Sequence, residues 1–414
     1  MQPHPDRTTS VLAAILIPLI LGTIVGLVAL WPTGDLPETG IVSVEAEYPT
    51  ARVLETATER CAGSTEVRQP DGEVPESVEC VVVLAEVTST AAAGRVVEVY
   101  APATLRPGDV SVGARIVLAR YLATDTDPEV YVWYDFARTF PLGMLAIAFA
   151  VVVIAVAGLR GLRALVGLIL AFGVIAAFML PALLEDKDPL TVGLVGSAAI
   201  MLVVLYMAHG FSRRTTTALL GTLAGLGVTA LLGVVAAYAA HLNGITTEEH
   251  YRLAMLTGNL DGDGLRGIFI AGVVLAGLGV LNDVTITQAS AVWELRASDP
   301  AASWRTLFSR GMRIGRDHIA STVSTIAVAY AGASLPILLL LEVYQLPLLQ
   351  TISSGAFAEE IARTLVGSIG LVLAIPLTTV IAAVVATSGP LPAGAGGDHA
   401  PHGHAPHRRA DGGG

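Results

Sequence analysis

Charge is scarce in this chain. Only 14% of its 414 residues are Asp, Glu, Lys or Arg, whereas 53% are hydrophobic. A soluble domain carries about 25% charged residues. This balance excludes a soluble enzyme, because a chain so apolar cannot hide its side chains in its own core. Lipid must act as part of its solvent. Positive charge is scarcer still. There are 24 Lys and Arg against 35 Asp and Glu, a net charge of −11, which argues against a nucleic-acid partner. Aromatic residues make up 6%, while Gly numbers 43. That composition suits helices packed closely through small residues. The phosphate loop G-x-x-x-x-G-K-[ST] is missing, so ATP hydrolysis is not expected. H-E-x-x-H is missing too, and Gly367-Ser368-Ile369-Gly370 does not have the form of a nucleophile elbow. No cofactor is expected, and a membrane-embedded enzyme ranks last for want of a catalytic set.

What is there is a series of long apolar runs. The first, Val11 to Leu30, closes on Trp31-Pro32. It is longer than the apolar core of a cleavable signal and lacks a small-residue cleavage site, so it reads as a signal anchor over 11–31 after an N-tail of 1–10. Further runs lie at roughly 142–159, 164–184, 189–209, 216–240, 265–290, 319–341 and 364–386. With the first they predict about eight spans, seven of them in a helical bundle over 141–386. Residues 387–414 are rich in Gly, Pro and His without apolar periodicity and read as a disordered tail.

Residues 33–140 differ from the rest: acidic, polar, rich in Val and Thr. Short alternating runs recur at Ala51–Glu55, Val81–Thr88, Gly94–Tyr100, Ala114–Tyr121 and Glu129–Tyr134. Turn signals such as Arg106-Pro107-Gly108-Asp109 separate them. Alternation with this punctuation predicts strands, and hence a small all-β barrel or sandwich between spans one and two.

Orientation follows from Lys and Arg in the short loops. Arg160, Arg163, Arg213, Arg214, the run Arg296 to Arg316, and Arg408-Arg409 fall on one side. Glu185-Asp186, Glu248-Glu249, Glu342 and Glu359-Glu360 fall on the other. Both termini are therefore expected in the cytoplasm and 33–140 outside. Both cysteines, Cys61 and Cys80, lie in that exported segment and are expected to form a disulfide. Closing this loop would stabilise by about 3 kcal/mol in the chain-entropy model.

The segment Arg266 to Arg296 is the most informative. Its apolar run leads into Asn282-Asp283-Val284-Thr285-Ile286-Thr287-Gln288. On a helix, Asp283, Thr287, Ser290 and Glu294 share one face. A carboxylate at membrane depth costs about 2.5–3.5 kcal/mol on insertion scales and marks an ion path, a proton relay or a buried partner. The alternative is that the helix ends near Leu281 and Asp283 caps the next one. A second polar cluster, Arg316-Asp317-His318 with Ser321, Thr322 and Thr325, opens the next span. His318, Ser321 and Thr325 share a face that could meet the Asp283 stripe, and His titrates near neutral pH. The plainer alternative is hydroxyls bonding back to their own helix. Pro181, Pro336 and Pro376 fall in or near spans, and Gly221-x-x-x-Gly225 signals close helix packing. His399, His402, His404 and His407 form at most a loose metal site in the tail. His241 and His250 flank an outer loop without a specific ligand pattern.

Four stretches carry a resemblance: Gly277 to Leu295, Arg313 to Thr325, Tyr330 to Pro336, and Arg363 to Thr379. They resemble the YibE/F family of bacterial multi-pass membrane proteins, strongly over roughly 140–386 and loosely in the outer domain. That family usually has Asp-Asp where this chain has Asn282-Asp283, which puts in doubt any mechanism needing two adjacent acids. Leu281-Asn282-Asp283 followed by the Ser321–Thr325 stretch is also similar to the SecF/RND type of proton-driven module, although this chain has extra spans before the motif. The resemblance implies the bacterial cytoplasmic membrane, and the similarity raises the expectation of proton or ion coupling.

The leading expectation is an ion- or proton-coupled transporter or export-assisting protein. Asp283 would be the coupling carboxylate, assisted by Thr285, Thr287, His318, Ser321, Thr325, Thr378 and Thr379, with Asn282, Glu294, Arg316 and Asp317 in support. The rival is a non-transporting scaffold or sensor whose outer domain binds a partner. The partners expected are the bilayer, protons or ions, and a second copy or an envelope protein.

Overall fold

The structure, a computed structural model, describes residues 7–34, 46–63, 67–69, 71–123, 128–257, 263–345 and 347–388. The chain divides into two compact units, one of Gly40–Val156 and one of Met1–Thr39 with Ala157–Gly414.

The first unit holds an antiparallel sheet of six strands: β1 (Ala46–Glu47), β2 (Thr50–Ala62), β3 (Ser77–Val87), β4 (Val96–Tyr100), β5 (Arg115–Tyr121) and β6 (Val130–Phe136). β2 to β6 fall on the five alternating runs, whereas the two-residue β1 has no run of its own in the sequence reading. Alternation works as expected: Ala51 and Val53 are buried on β2 while Arg52 and Leu54 are exposed. With Val81, Val83, Ile116, Leu118 and Trp133 they make the core of this unit. β5 is central, laddering to β6 on one side and to β1 and β2 on the other, and β2 leads on to β3 and β4. β4 also runs beside β6. There Arg95 pairs with Glu129, whose other oxygen accepts from Arg120 Nε at 2.6 Å and from the Tyr131 hydroxyl at 3.0 Å. Arg95, then Arg120 and Tyr131, hold the Glu129 carboxyl down at about 2. Cys61 and Cys80 are bridged across β2 and β3, with Cα atoms 5.8 Å apart.

α2 (Thr139–Val174) follows β6, and its helical path breaks at Gly158, where φ is +59°. A π-helical turn (Ile175–Met179) and α3 (Leu180–Leu184) continue it, with Pro181 near the start of α3. The second unit also contains α1 (Arg7–Ala29), α4 (Pro189–His209), α5 (Arg213–Ala239) and α6 (Glu248–Thr257). After these come α7 (Asp263–Ser298), α8 (Trp304–Ala333), α9 (Leu335–Tyr344), α10 (Leu348–Ile352) and α11 (Gly355–Thr387). Asp188, Ser212 and Ser303 cap α4, α5 and α8 by accepting from Thr191, Thr215 and Thr306. α7 lies at the centre, packed by α5, α11, α4 and α8.

Glycines set the close approach of these helices. A Cβ on Gly221 of α5 would stand 2.1 Å from Thr378 Oγ1 of α11, and one on Gly370 of α11 would stand 2.0 Å from Thr229 Oγ1 of α5. The Gly221-x-x-x-Gly225 signal is thus a packing device.

The two ends of the bundle can be told apart. Thr8 Oγ1 donates to the Ser388 carbonyl at 2.8 Å, and Arg213 donates to Thr9 Oγ1 at 2.7 Å. The starts of α1 and α5 and the end of α11 therefore meet. At the other end the amides of Thr33 and Gly34 donate to Glu185 at 2.9 and 2.7 Å.

Among the described residues six helical stretches are long and apolar enough to cross a membrane. The difference from eight comes from two places. Thr139–Leu184 is one stretch of 46 residues, where two spans are expected. The expected span 319–341 is divided, because α8 ends at Ala333 and Pro336 opens α9. The first half of α8 is amphipathic rather than uniformly apolar, with Leu307, Gly311 and Gly315 buried and Arg305, Arg310, Arg313 and Arg316 exposed.

Candidate functional site

Polar side chains are expensive in an apolar bundle unless something satisfies them. The α5–α7–α11 core nevertheless contains a line of them. At the end where α11 begins, Glu359 is 4% exposed. One of its oxygens accepts from the Gly244 amide at 2.9 Å and the other from Thr246 Oγ1 at 3.0 Å. Both donors come from the loop after α5, where Gly244 has φ +74° and a Cβ would fall 2.4 Å from the Leu265 carbonyl oxygen. One turn along α11, the Arg363 guanidinium lies over the Phe269 ring at 5.2 Å. Arg363 also reaches Glu360 at 3.5 Å. Glu359, Arg363 and His250 line a pocket of about 180 Å³ with Phe269 and Gly272 of α7.

The line continues along the helices. Thr229 Oγ1 donates to the Gly225 carbonyl at 3.0 Å beneath Gly370. Thr222 and Thr285 share a hydroxyl–hydroxyl bond between α5 and α7. Thr378 Oγ1 is buried and has no hydrogen-bond partner among the described residues. At the far end Gln288 is 3% exposed. Its Nε2 donates to the Gly311 carbonyl of α8 at 2.9 Å and to Thr379 Oγ1 of α11 at 2.8 Å. Gly311 and Gly315 let α8 come this close to Gln288, Thr379 and Ile375. From Glu359 to Thr379 the helix rises about 30 Å, which is close to the thickness of a hydrocarbon core.

The expected residues divide into two groups. Thr285, Thr378 and Thr379 belong to this line. Asp283 does not cap a helix, because α7 runs unbroken from Asp263 to Ser298. Its side chain is exposed, as are those of Thr287 and Glu294, with Ser290 half-buried, so the stripe is one face on the outer side of α7. Among the described residues no hydrogen bond joins the Asp283 stripe to the α8 hydroxyls, although α7 and α8 pack together around Val284 and Ile326. Ser321 and Thr325 are exposed, and Thr325 Oγ1 donates to the Ser321 carbonyl at 3.0 Å, as Thr287 does to the Asp283 carbonyl at 2.7 Å. Here the plainer alternative holds: hydroxyls in an apolar helix find their own backbone first. Arg316 and Asp317 are exposed. His318 is half-buried, with Nε2 unpaired among the described residues. Asn282 Oδ1 is likewise unpaired, in a groove of about 300 Å³ between α4, α7 and the end of α2. His399, His402, His404 and His407 lie outside the described residues. Among the described ones no cluster of three or more His, Cys, Asp or Glu is arranged for a metal ion.

Gln288, Glu359, Arg363 and Thr222 were not singled out from the sequence. The i, i+4 spacing of Glu359 and Arg363 at the head of an apolar run, and the i, i+3 spacing of Thr285 and Gln288, are the available signals.

Apolar helices on this scale, around a buried polar seam, define a multi-pass helical membrane protein. The chain belongs to the family of YibE/F-like proteins, whose model matches residues 145–388. No curated protein and no solved structure matches the chain.

Proposed function

We propose that this chain is an ion- or proton-coupled membrane transporter or export-assisting protein of the bacterial cytoplasmic membrane. The observation that carries the reading is the buried polar line from Glu359 to Thr379, which extends about 30 Å through an otherwise apolar core. Hydroxyl, amide and carboxylate groups spaced over that length supply the sites a relay uses. In this reading Glu359 is the internal coupling carboxylate, and His250 and Arg363 set its charge balance. Asp283 stands on the outer flank of α7 as a second ionisable group nearer the opposite end.

The proposed orientation has both termini in the cytoplasm and the sheet unit outside. The meeting of the start of α1 with the end of α11 supports an even number of crossings. Eight crossings follow if the segments on either side of Gly158 each cross and α8 with α9 crosses once. The arginines of α8 and of the α4–α5 turn then lie inside, as the charge rule requires.

The test uses purified full-length protein in vesicles loaded with a pH-sensitive dye, under an imposed membrane potential. Wild type is expected to pass protons, Glu359→Gln to abolish the flux, and Asp283→Asn to reduce it, with all three proteins monodisperse. Wild-type flux no greater than in protein-free vesicles, or full flux through Glu359→Gln, would overturn the proposal.

A further inference from the structure

The sheet unit carries two arginines that no structural role explains. Arg52 on β2 stands directly opposite Arg115 on β5. Like charges placed so destabilise a sheet, because their Cβ atoms are only about 4.5–5.5 Å apart. Three cations of this unit are neutralised, Arg95 and Arg120 by Glu129 and Glu47, and Arg138 by Asp135, and none of the three faces another cation in the strand register as Arg52 and Arg115 do. Arg52 and Arg115 make no ion pair and no side-chain hydrogen bond among the described residues. Glu86 stands opposite Arg52 on its other side and forms no ion pair with it.

The pair opens on a groove of about 520 Å³. Thr50 and Thr88 add hydroxyls at its polar end. The other wall is the first turns of α2, which present Phe140, Gly143, Met144 and Ile147. These follow i, i+3, i+4 and i+7, one helix face. Phe140, Met144 and Ile147 are 67%, 56% and 65% exposed. α2 is also where the apolar stretch Thr139–Leu184 begins, so this wall enters the membrane. From Thr139 to Ile147 the helix descends about 12 Å, from the level of lipid headgroups to that of acyl chains.

We propose that this groove binds an anionic phospholipid, its phosphate held between Arg52 and Arg115 and its acyl chain laid along Phe140, Met144 and Ile147. Paired guanidinium groups match a phosphate better than any neutral headgroup does, and they do so as planar forks. A phosphate between them converts the like-charge clash into a bridge. The apolar wall selects a lipid over a free anion. A polar head and an apolar body are thus recognised by adjacent parts of one groove.

The test is native mass spectrometry of the full chain in neutral detergent, with phosphatidylglycerol or phosphatidylcholine added at equal concentration. Wild type is expected to retain the anionic lipid at least about tenfold better. Arg52→Gln/Arg115→Gln should lose that preference, whereas Arg60→Gln on the same strand should keep it. Met144→Ser/Ile147→Ser should weaken retention of the lipid. Thermal unfolding supplies a readout that a misfolded variant cannot imitate. Without anionic lipid Arg115→Gln should be at least as stable as wild type, and with it wild type should become the more stable. Equal retention of both lipids, an unchanged double-arginine variant, or displacement of the lipid by inorganic phosphate at equal concentration would overturn the assignment.

Discussion

Replacing Gly221 by Ala tests the helix packing that holds the polar line together. At an open position in a helix interior, Gly→Ala stabilises by about 1 kcal/mol. Here the new Cβ would fall 2.1 Å from Thr378 Oγ1, 2.9 Å from its Cβ and 3.1 Å from its Cγ2. All three belong to a short, β-branched and fully buried side chain, which has no free end to swing away. Overpacking of this kind costs about 1–3 kcal/mol, so after that gain the expected net change is a loss of up to about 2 kcal/mol. Thr378→Ala alone should be nearly neutral. It loses a buried methyl, worth about 1 kcal/mol, and also removes a buried hydroxyl without a partner, whose desolvation penalty is about 1–3 kcal/mol. In the double variant the added methyl occupies the space vacated. The coupling energy between the two sites should be about 2 kcal/mol in the favourable direction. Denaturant titration in mixed micelles, followed by circular dichroism, measures all four corners of the cycle. A Gly221→Ala variant more stable than wild type, or strictly additive effects, would refute the α5–α11 register and with it the neighbours assigned to Thr378.

Two further outcomes concern the sheet unit. Glu129 has its carboxyl held at about 2, below its ordinary value of 4.5, chiefly by Arg95 and then Arg120. A lowered folded value gives stability that is complete above the unfolded value and is lost as pH falls through the folded one. The sheet unit should therefore weaken between about pH 4.5 and pH 2. Glu129→Gln should be less stable at neutral pH and show a shallower loss over that window, and an identical pH profile in thermal melts would contradict the seam. Reduction of the Cys61–Cys80 bridge, which closes a sequence separation of 19, should lower stability by about 3 kcal/mol. Melting with and without reductant, with Cys61→Ser/Cys80→Ser as a control, checks it.

The sequence was most legible where one periodicity ruled. The strands could be placed because inward Val, Ile and Leu alternate with polar residues and Gly, Pro or Asp closes each run. Hydropathy found the apolar helices because it needs no knowledge of neighbours. At 319–341 it reads one continuous run where the chain forms two helices, because α8 ends at Ala333 and Pro336 stands near the start of α9. The site was harder to read for a physical reason. Asp283 and Gln288 are both polar residues within α7, and composition does not say which is exposed and which is buried against α11. That depends on the order of helices around α7, set by contacts such as Gly221 with Thr378 and Gly370 with Thr229, far apart in the chain. The spacing of Ser321 and Thr325 suggests an ion path, yet both are exposed and Thr325 donates to the carbonyl of its own helix at Ser321.

Thr378→Val offers the most direct separation of a relay from a packing element. The substitution keeps the shape of the side chain and removes only its buried hydroxyl. Stability and proton flux should be measured on the same preparation, the first by denaturant titration and the second in dye-loaded vesicles. The account predicts stability equal to wild type or higher, with flux reduced at least about fivefold, because the line loses its one buried hydroxyl that, among the described residues, is not already committed to a protein partner. Unimpaired flux in a variant of equal or greater stability would mean that the polar line packs helices and carries nothing.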